Sequence, residues 1–431
     1  MILTNFIVKQ NTFGTIISII NLIFTIVVFL IYFHQMLYSF IGLITRPRKF
    51  ADAKVNHKYA YLISAHNEEI VIENLIHSIY AQDYPKELMQ VFVVADNCND
   101  KTALLAKKAG AIVYERFDEE KRGKSYALDF LLNKIFREHD NGYEAFFIFD
   151  ADNLVSKNYT TEMNKVFDAG YKVSTSFRDT KNFENWISAG ASMAFYRECL
   201  LIHQSRSIFD IGTFVSGTGF FISADLLKET GWVCHTMTED IEFSLKCSLE
   251  GIKIGYCADA VFYDEQPTTL KSSLNQRLRW CKGMHQIFFR DAKKVIKKNF
   301  KGFNAESFEL CVHVSPIPLI TTLWFVIYSI STFINASFLE YSSAEFFKLA
   351  IQLFSSLGMT FFGLLVINAF IVILKYHKNI RCPLYKQIFY CFTFPIYMFF
   401  YLPLSFMALF KKVQWVKVPH TINRKIDEIS S

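Results

Sequence analysis

Asp150 and Asp152 stand one residue apart at the end of the apolar run Ala145-Phe-Phe-Ile-Phe149. Two carboxylates this close repel unless a positive group lies between them, and such hard oxygen ligands suit Mg²⁺ or Mn²⁺ that still holds phosphate oxygens. Taken alone, the same spacing is equally a loop with two solvated aspartates. A second acidic pair, Glu239-Asp240, follows Thr238 and precedes Phe243, Leu245 and Leu249 at helical spacing. Read locally, Thr238 is an N-cap and the two acids complement the helix dipole. A third group, Gln276-Arg277-Leu-Arg279-Trp280, offers arginine forks suited to phosphate oxygens beside an indole face. Arg277 and Arg279 cannot share one helical face, so Arg279 is assigned to the phosphates.

These groups need a scaffold. Ala145–Phe149 reads as a buried strand, and in α/β sheets ligands collect at the carboxyl ends of strands. Upstream, Tyr59–Ser64, Gln90–Ala95 and Ala111–Val113 read as further strands, and helices are expected from Ile72, over Thr102–Ala109 and over Lys124–Phe136. Strand and helix in alternation mean a parallel sheet with its functional loops on one edge, which puts Asp96 and Asp150 together. Asp96 and Asp100 equally fit an Asx turn capping the next helix; Asp100 is expected to be that cap.

The chain has 431 residues, 52% of them hydrophobic, including 45 Phe. Four stretches without Asp, Glu, Lys or Arg carry the excess: Lys9 to Arg46, Glu309 to Glu340, Lys348 to Lys375 and Lys386 to Lys411. Each exceeds the roughly 20 residues that cross a hydrocarbon core as helix. The expected division is an anchor at 14–45, a soluble domain at 55–270, amphipathic interfacial helices at 271–305, an apolar region at 310–410 and a basic tail at 411–431. Arg46, Arg48 and Lys49 follow the anchor and place the domain in the cytoplasm by the positive-inside rule. The nine cysteines lack paired metal spacing, which fits a reducing compartment. The net charge of +6 collects beside apolar segments, so lipid headgroups, not nucleic acid, are the expected partner.

Seven motifs follow in order: Ser64-Ala-His-Asn-Glu68, Val94-Ala-Asp96-Asn-Cys-Asn-Asp100, Gly123-Lys124-Ser-Tyr-Ala-Leu128, Phe149-Asp150-Ala-Asp152-Asn153, Gly217-Thr218-Gly219, Thr238-Glu239-Asp240 and Gln276–Trp280. Together they resemble membrane-embedded family 2 glycosyltransferases, the group of cellulose, hyaluronan and poly-N-acetylglucosamine synthases. The resemblance implies a Rossmann-like GT-A α/β domain between transmembrane helices and a nucleotide-sugar donor, UDP-N-acetylglucosamine or UDP-glucose. It implies that Asp96 meets the base, Lys124 the phosphates or the base edge, and Asp150 the donor. Asp152 becomes the ligand of the diphosphate-bound cation, and Gln276 and Arg279 meet the pyrophosphate. Asp240 becomes the general base that takes the acceptor hydroxyl's proton. Gly217, Thr218, Gly219, Glu239 and Trp280 line the acceptor site. A single base without a nucleophilic carboxylate implies inversion, an α-linked donor giving a β-linked product. The Gln276–Trp280 pattern favours a polymerase; the alternatives are transfer of one sugar to a lipid, or a non-catalytic nucleotide-sensing scaffold.

Cys311–Ala336 and Leu349–Leu374 each read as one span. Pro395 and Pro403 interrupt Ile388–Phe410, and the basic tail sits on the wrong side if that stretch crosses, so it is expected to be broken or re-entrant. Gln414–His420 resembles a gating segment that reaches back over the active site, with Trp415 and His420 as its marks; Trp415 is equally an interfacial anchor. With so few spans, a polymer channel is narrow or needs an accessory membrane subunit.

Overall fold

A computed structural model describes residues 11–139, 142–414 and 416–429. Eight strands form one sheet: β1 (Tyr59–Ala65), β2 (Met89–Asp96), β3 (Ile112–Arg116), β4 (Ala145–Asp150), β5 (Leu154–Val155), β6 (Val173–Thr180), β7 (Phe220–Ser223) and β8 (Ile254–Asp264). Their order is β3-β2-β1-β4-β7-β6-β8-β5. The four strands expected from the sequence form the parallel half. β7 then runs antiparallel to both β4 and β6. Register sets Ser64 beside Asp150 and Asp96 beside Arg116, so the acidic strand ends do share an edge.

The helices within and around the sheet are α1 (Thr12–Ile44), α2 (Ile72–Tyr80), α3 (Thr102–Lys108), α4 (Lys124–Glu138), α5 (Tyr159–Asp168), α6 (Trp186–Glu198), α7 (Ser205–Ile208), α8 (Ala224–Thr230) and α9 (Glu239–Glu250). Beyond them come α10 (Leu270–Lys301), α11 (Ala305–Val314), α12 (Ile317–Phe338), α13 (Ser343–Tyr376), α14 (Leu384–Phe399) and α15 (Tyr401–Phe410). β1, β2 and β4 are mostly apolar because both faces are covered. Tyr59, Tyr61, Ile63, Phe147 and Phe149 pack with α2 and α5 on one face. Ala60, Leu62, Phe92, Phe146 and Ile148 pack with α4 on the other.

Among the described residues, four helices are long and apolar enough to cross a membrane: α1, α12, α13 and the combined stretch Leu384–Phe410. The expected single span Cys311–Ala336 is corrected to two helices, α11 and α12. Pro316 lacks an N–H and drives Ser315 to an extended ψ of 149°, which ends α11. The last apolar stretch breaks at Phe400, where Pro403 cannot donate to the carbonyl of Phe399, whereas Pro395, also expected to interrupt it, lies inside α14.

Both ends of that stretch are tied to the sheet domain. Ahead of α14, Arg381 donates to Thr180 O at 2.7 Å and to Asp179 Oδ2 at 3.0 Å. After α15, Lys417 bonds Asn67 O and His420 meets Glu68. Arg277 of α10, fully buried, donates to Tyr397 O at 2.6 Å and stacks over the Tyr397 ring, so it holds the turn between α14 and α15. α1 is docked as well, Ser205 Oγ donating to Tyr38 O at 2.6 Å beside the π-helical turn Cys199–Gln204.

Candidate active site

At the edge of β2, Asp96 is buried and paired with Arg116 Nη1 at 2.5 Å. Burial raises its carboxyl, and Arg116 offsets only part of that rise. Arg116 also holds Asp118 at 3.0 Å and Lys121 O at 2.7 Å, which braces the loop leading to Lys124. Asp100 makes the Asx turn expected ahead of α3, accepting from Thr102 N at 2.9 Å, with Lys101 at the N-cap position.

Gly123, at φ +116°, turns the chain into α4 and aims Lys124 across the sheet edge. Its ammonium pairs with Asp150 and donates to Gly217 O at 2.6 Å. Burial lowers this lysine, but Asp150, Glu239 and Asp240 more than restore it, leaving a raised value. Of the three turn residues expected at the acceptor site beside Glu239 and Trp280, Gly217 faces Asp240: a Cβ added to it would sit 3.5 Å from Arg178 Nη2 and 3.9 Å from Asp240 Oδ2. Thr218 is buried, its hydroxyl bonding Asn153 and accepting Asp150 N at 2.9 Å, so it shapes the Asp150 turn. Gly219 lies against the Phe262 ring, which leaves no room for a side chain.

Glu239 and Asp240 open α9, as their first-turn pattern implied. Arg279 of α10 donates to Met237 O at 2.8 Å and its charge reaches both acids. Gln276 and Trp280 are half-buried on the same helix, and Trp280 meets Phe195 edge to face at 6.0 Å. The Phe195 ring in turn lies 4.1 Å below the Arg178 guanidinium.

Burial first, then the charge of Asp240, raises Glu239 to about 7; burial raises Asp240 as well. The folded chain therefore keeps a proton on Glu239 that the unfolded chain releases near 4.5, and stability falls as pH rises from there through 7. Glu239→Gln is expected to be more stable than wild type by about 1–3 kcal/mol near pH 8, and no more stable near pH 5. Denaturant melts of both proteins at the two pH values check this; coincident curves at pH 8 mean Glu239 ionises without penalty.

Beyond β4, Asp152 is buried and accepts Glu265 N at 3.1 Å. Asp264 lies beside it, and burial plus the Asp152 charge push its carboxyl up to about 7. No trio of His, Cys, Asp or Glu side chains converges as a ready-made cage among the described residues. A cation that keeps phosphate and water ligands needs only one or two carboxylates, so the mutually repelling pair Asp152 and Asp264 fits one.

The C-terminal tail lies over this pair. His420 Nδ1 is 3.0 Å from Glu68 and Nε2 is 3.9 Å from Asp152. Burial alone would lower the imidazole, but Asp152, Glu68 and Glu265 raise it to about 10. Glu265 accepts the backbone N–H groups of Thr421 and Ile422 at 2.8 and 3.2 Å. Trp415 lies outside the described residues.

Sequence reasoning missed Glu68, Arg116, Arg178, Asp264 and Glu265 as parts of this site. Asp264-Glu265 carries the same signal that exposed Asp150, acids closing an apolar strand. Arg178 had none, since β6 is buried along its whole length yet written mostly in polar residues.

Residues 57–283 match the family described as "Glycosyltransferase like family 2". Poly-beta-1,6-N-acetyl-D-glucosamine synthase of Staphylococcus epidermidis is 23% identical over 318 residues, covering 71% of this chain and 72% of the relative. The protein of that name from Staphylococcus aureus strain COL is 25% identical over 246 residues, covering 55% of this chain and 57% of the relative. Among solved structures, a mannosyltransferase from Pyrobaculum calidifontis in complex with GDP-Man and Mn2+ aligns with a TM-score of 0.55 at 16% identity. That alignment covers 89% of this chain and 96% of the other, and at such identity it speaks for the fold. With the matched segment spanning the sheet, the acidic edge and the start of α10, the chain belongs to glycosyltransferase family 2 and is a glycosyltransferase of GT-A fold.

Proposed function

We propose that the protein is an inverting, metal-dependent and processive transferase that extends a β-linked polysaccharide from UDP-N-acetylglucosamine or UDP-glucose at the cytoplasmic membrane face. The observation that carries this reading is the shared site at which Asp240 faces the Gly217 turn while Lys124 bridges Gly217 and Asp150. In it, Asp96 with Arg116 receives the base, and Asp150, Lys124, Gln276 and Arg279 orient the diphosphate. Asp240 takes the proton of the acceptor hydroxyl as the new bond forms. Glu239, holding its own proton near neutrality, leaves Asp240 as the one base, which supports inversion. Trp280 and the Gly217–Gly219 turn seat the acceptor sugar. Asp152 and Asp264 would hold Mg²⁺ or Mn²⁺, which supplies charge stabilisation to the departing diphosphate.

The ties of Arg381 and of the tail to the domain support a topology in which α1, α12 and α13 cross while α14 and α15 lie along the membrane face. That keeps the basic tail beside the active site. His420 then gates the cleft by occupying the acidic space at Asp152. The names of the staphylococcal relatives favour a glycan acceptor and UDP-N-acetylglucosamine. Transfer of one sugar to a membrane lipid is the second reading; an accessory membrane subunit fits either.

The test is nucleotide release with product sizing, using membranes offered UDP-N-acetylglucosamine, UDP-glucose and UDP-glucuronate singly, with Mg²⁺ or Mn²⁺. Long chains from one donor are the expected result. A product that stops at one sugar on lipid replaces the polymerase reading with the second. In the same assay His420→Ala is expected to reach half-maximal rate at lower cation concentration; an unchanged requirement removes the gating role.

A further inference from the structure

Lys181 follows β6 and is 1% exposed. Its backbone is fully engaged, the N–H donating to Asp264 O at 2.8 Å and the carbonyl accepting Arg424 Nη1 at 2.7 Å. Its ammonium is not: Nζ is buried and has no hydrogen-bond partner among the described residues. The carboxylates whose charge reaches it are Asp152, Glu265 and Asp264, the same basin that fits the cation.

A buried ammonium with three unfilled donors is a liability for folding, because water is lost and nothing replaces it. An unbranched apolar side chain would fill the same volume without that penalty. The group makes physical sense as a donor held for a ligand oxygen. A neutral hydroxyl makes only an ordinary hydrogen bond, whereas a phosphate oxygen makes a charge-assisted one, the stronger partner for an ammonium. Asp96 lies at the end of β2 and Lys181 beyond β6, on the far side of Asp150 and Asp152. The phosphate that comes within reach is the one farther from the base.

We propose that Lys181 binds the sugar-bearing phosphate of the nucleotide-sugar donor, and that the anion reaches it when the tail segment over Glu265 and Lys181 lifts. This rests on the nucleotide-sugar reading above.

The experiment is calorimetric titration of the full-length protein in detergent, wild type and Lys181→Met, with UDP and with UMP in the presence of Mg²⁺, beside thermal unfolding of both proteins. The variant is expected to bind UDP about 10- to 100-fold more weakly, the worth of one charge-assisted hydrogen bond. UMP affinity is expected to stay within about twofold, and the unfolding temperature to equal or exceed that of wild type, since a buried ammonium without hydrogen-bond partners is gone. Equal UDP affinity in the two proteins overturns the assignment to Lys181 alone. A variant that fails to fold, melts lower or loses UDP and UMP together shows a structural role and overturns it as well. A wild-type protein that binds neither nucleotide overturns the donor reading, and this assignment with it.

Discussion

Asp240→Asn is expected to lower turnover by about three orders of magnitude while leaving UDP binding within a few-fold of wild type. The amide keeps the shape of the carboxylate and the start of α9 but cannot accept the acceptor's proton. Two features of the site isolate this effect. Asp240 reaches the cleft beside Gly217, whereas the donor-side groups Asp150 and Lys124 are bonded to one another and to Gly217 O. Glu239, the nearest other acid, is raised to about 7 by burial and by Asp240 itself, so with Asp240 neutral it becomes a stronger acid and a weaker base. Single-turnover rates and UDP titration on the same preparation separate the two quantities. A loss below about tenfold would remove Asp240 as the base and turn attention to Glu239.

The second large effect is expected from Gly283→Ala, a change that helix propensity favours by about 1 kcal/mol. In α10 this position faces Thr238 so closely that an added Cβ would lie 2.4 Å from Thr238 Oγ1 and 2.7 Å from Thr238 N. A hydroxyl can rotate away, but a backbone nitrogen at the mouth of α9 cannot. The clash must push the Thr238–Asp240 corner off α10 or bend the helix, and it also strains the Arg279 bond to Met237 O. A misplacement of about 1 Å in a reacting group costs on the order of 100-fold in rate. Turnover is therefore expected to fall by roughly that factor, with far-ultraviolet circular dichroism unchanged. Wild-type turnover in this variant would mean the contact does not set the position of Asp240.

Some of this was legible in one dimension because local physics leaves local marks. The central strands Tyr59–Ala65, Met89–Asp96 and Ala145–Asp150 are mostly apolar because they are covered on both faces, so they announced themselves, and the acids ending the last two marked the edge. The Asx turn at Asp100, the acidic first turn of α9 and the break around Pro403 likewise follow from rules that act over a few residues. Pro316 obeys the same rule, and reading Cys311–Ala336 as one helix gave hydropathy precedence over the missing N–H.

By itself, then, the order of residues determined the α/β alternation, the acidic edge, the apolar helices and the family, because each depends on neighbours in the chain or on motifs in series. Tertiary structure alone decided what meets across the cleft: Arg116 on Asp96, Asp264 against Asp152, Gly283 under Thr238, and His420 over Glu68 from the far end of the chain. It also decided that the polar strand β6 is interior, putting Arg178 and Lys181 among the carboxylates. Such pairings join charges and shapes separated by up to hundreds of residues. No local propensity encodes them; only the closing of the whole sheet, with its helices and tail, brings them within the few ångströms over which hydrogen bonds and steric contacts act.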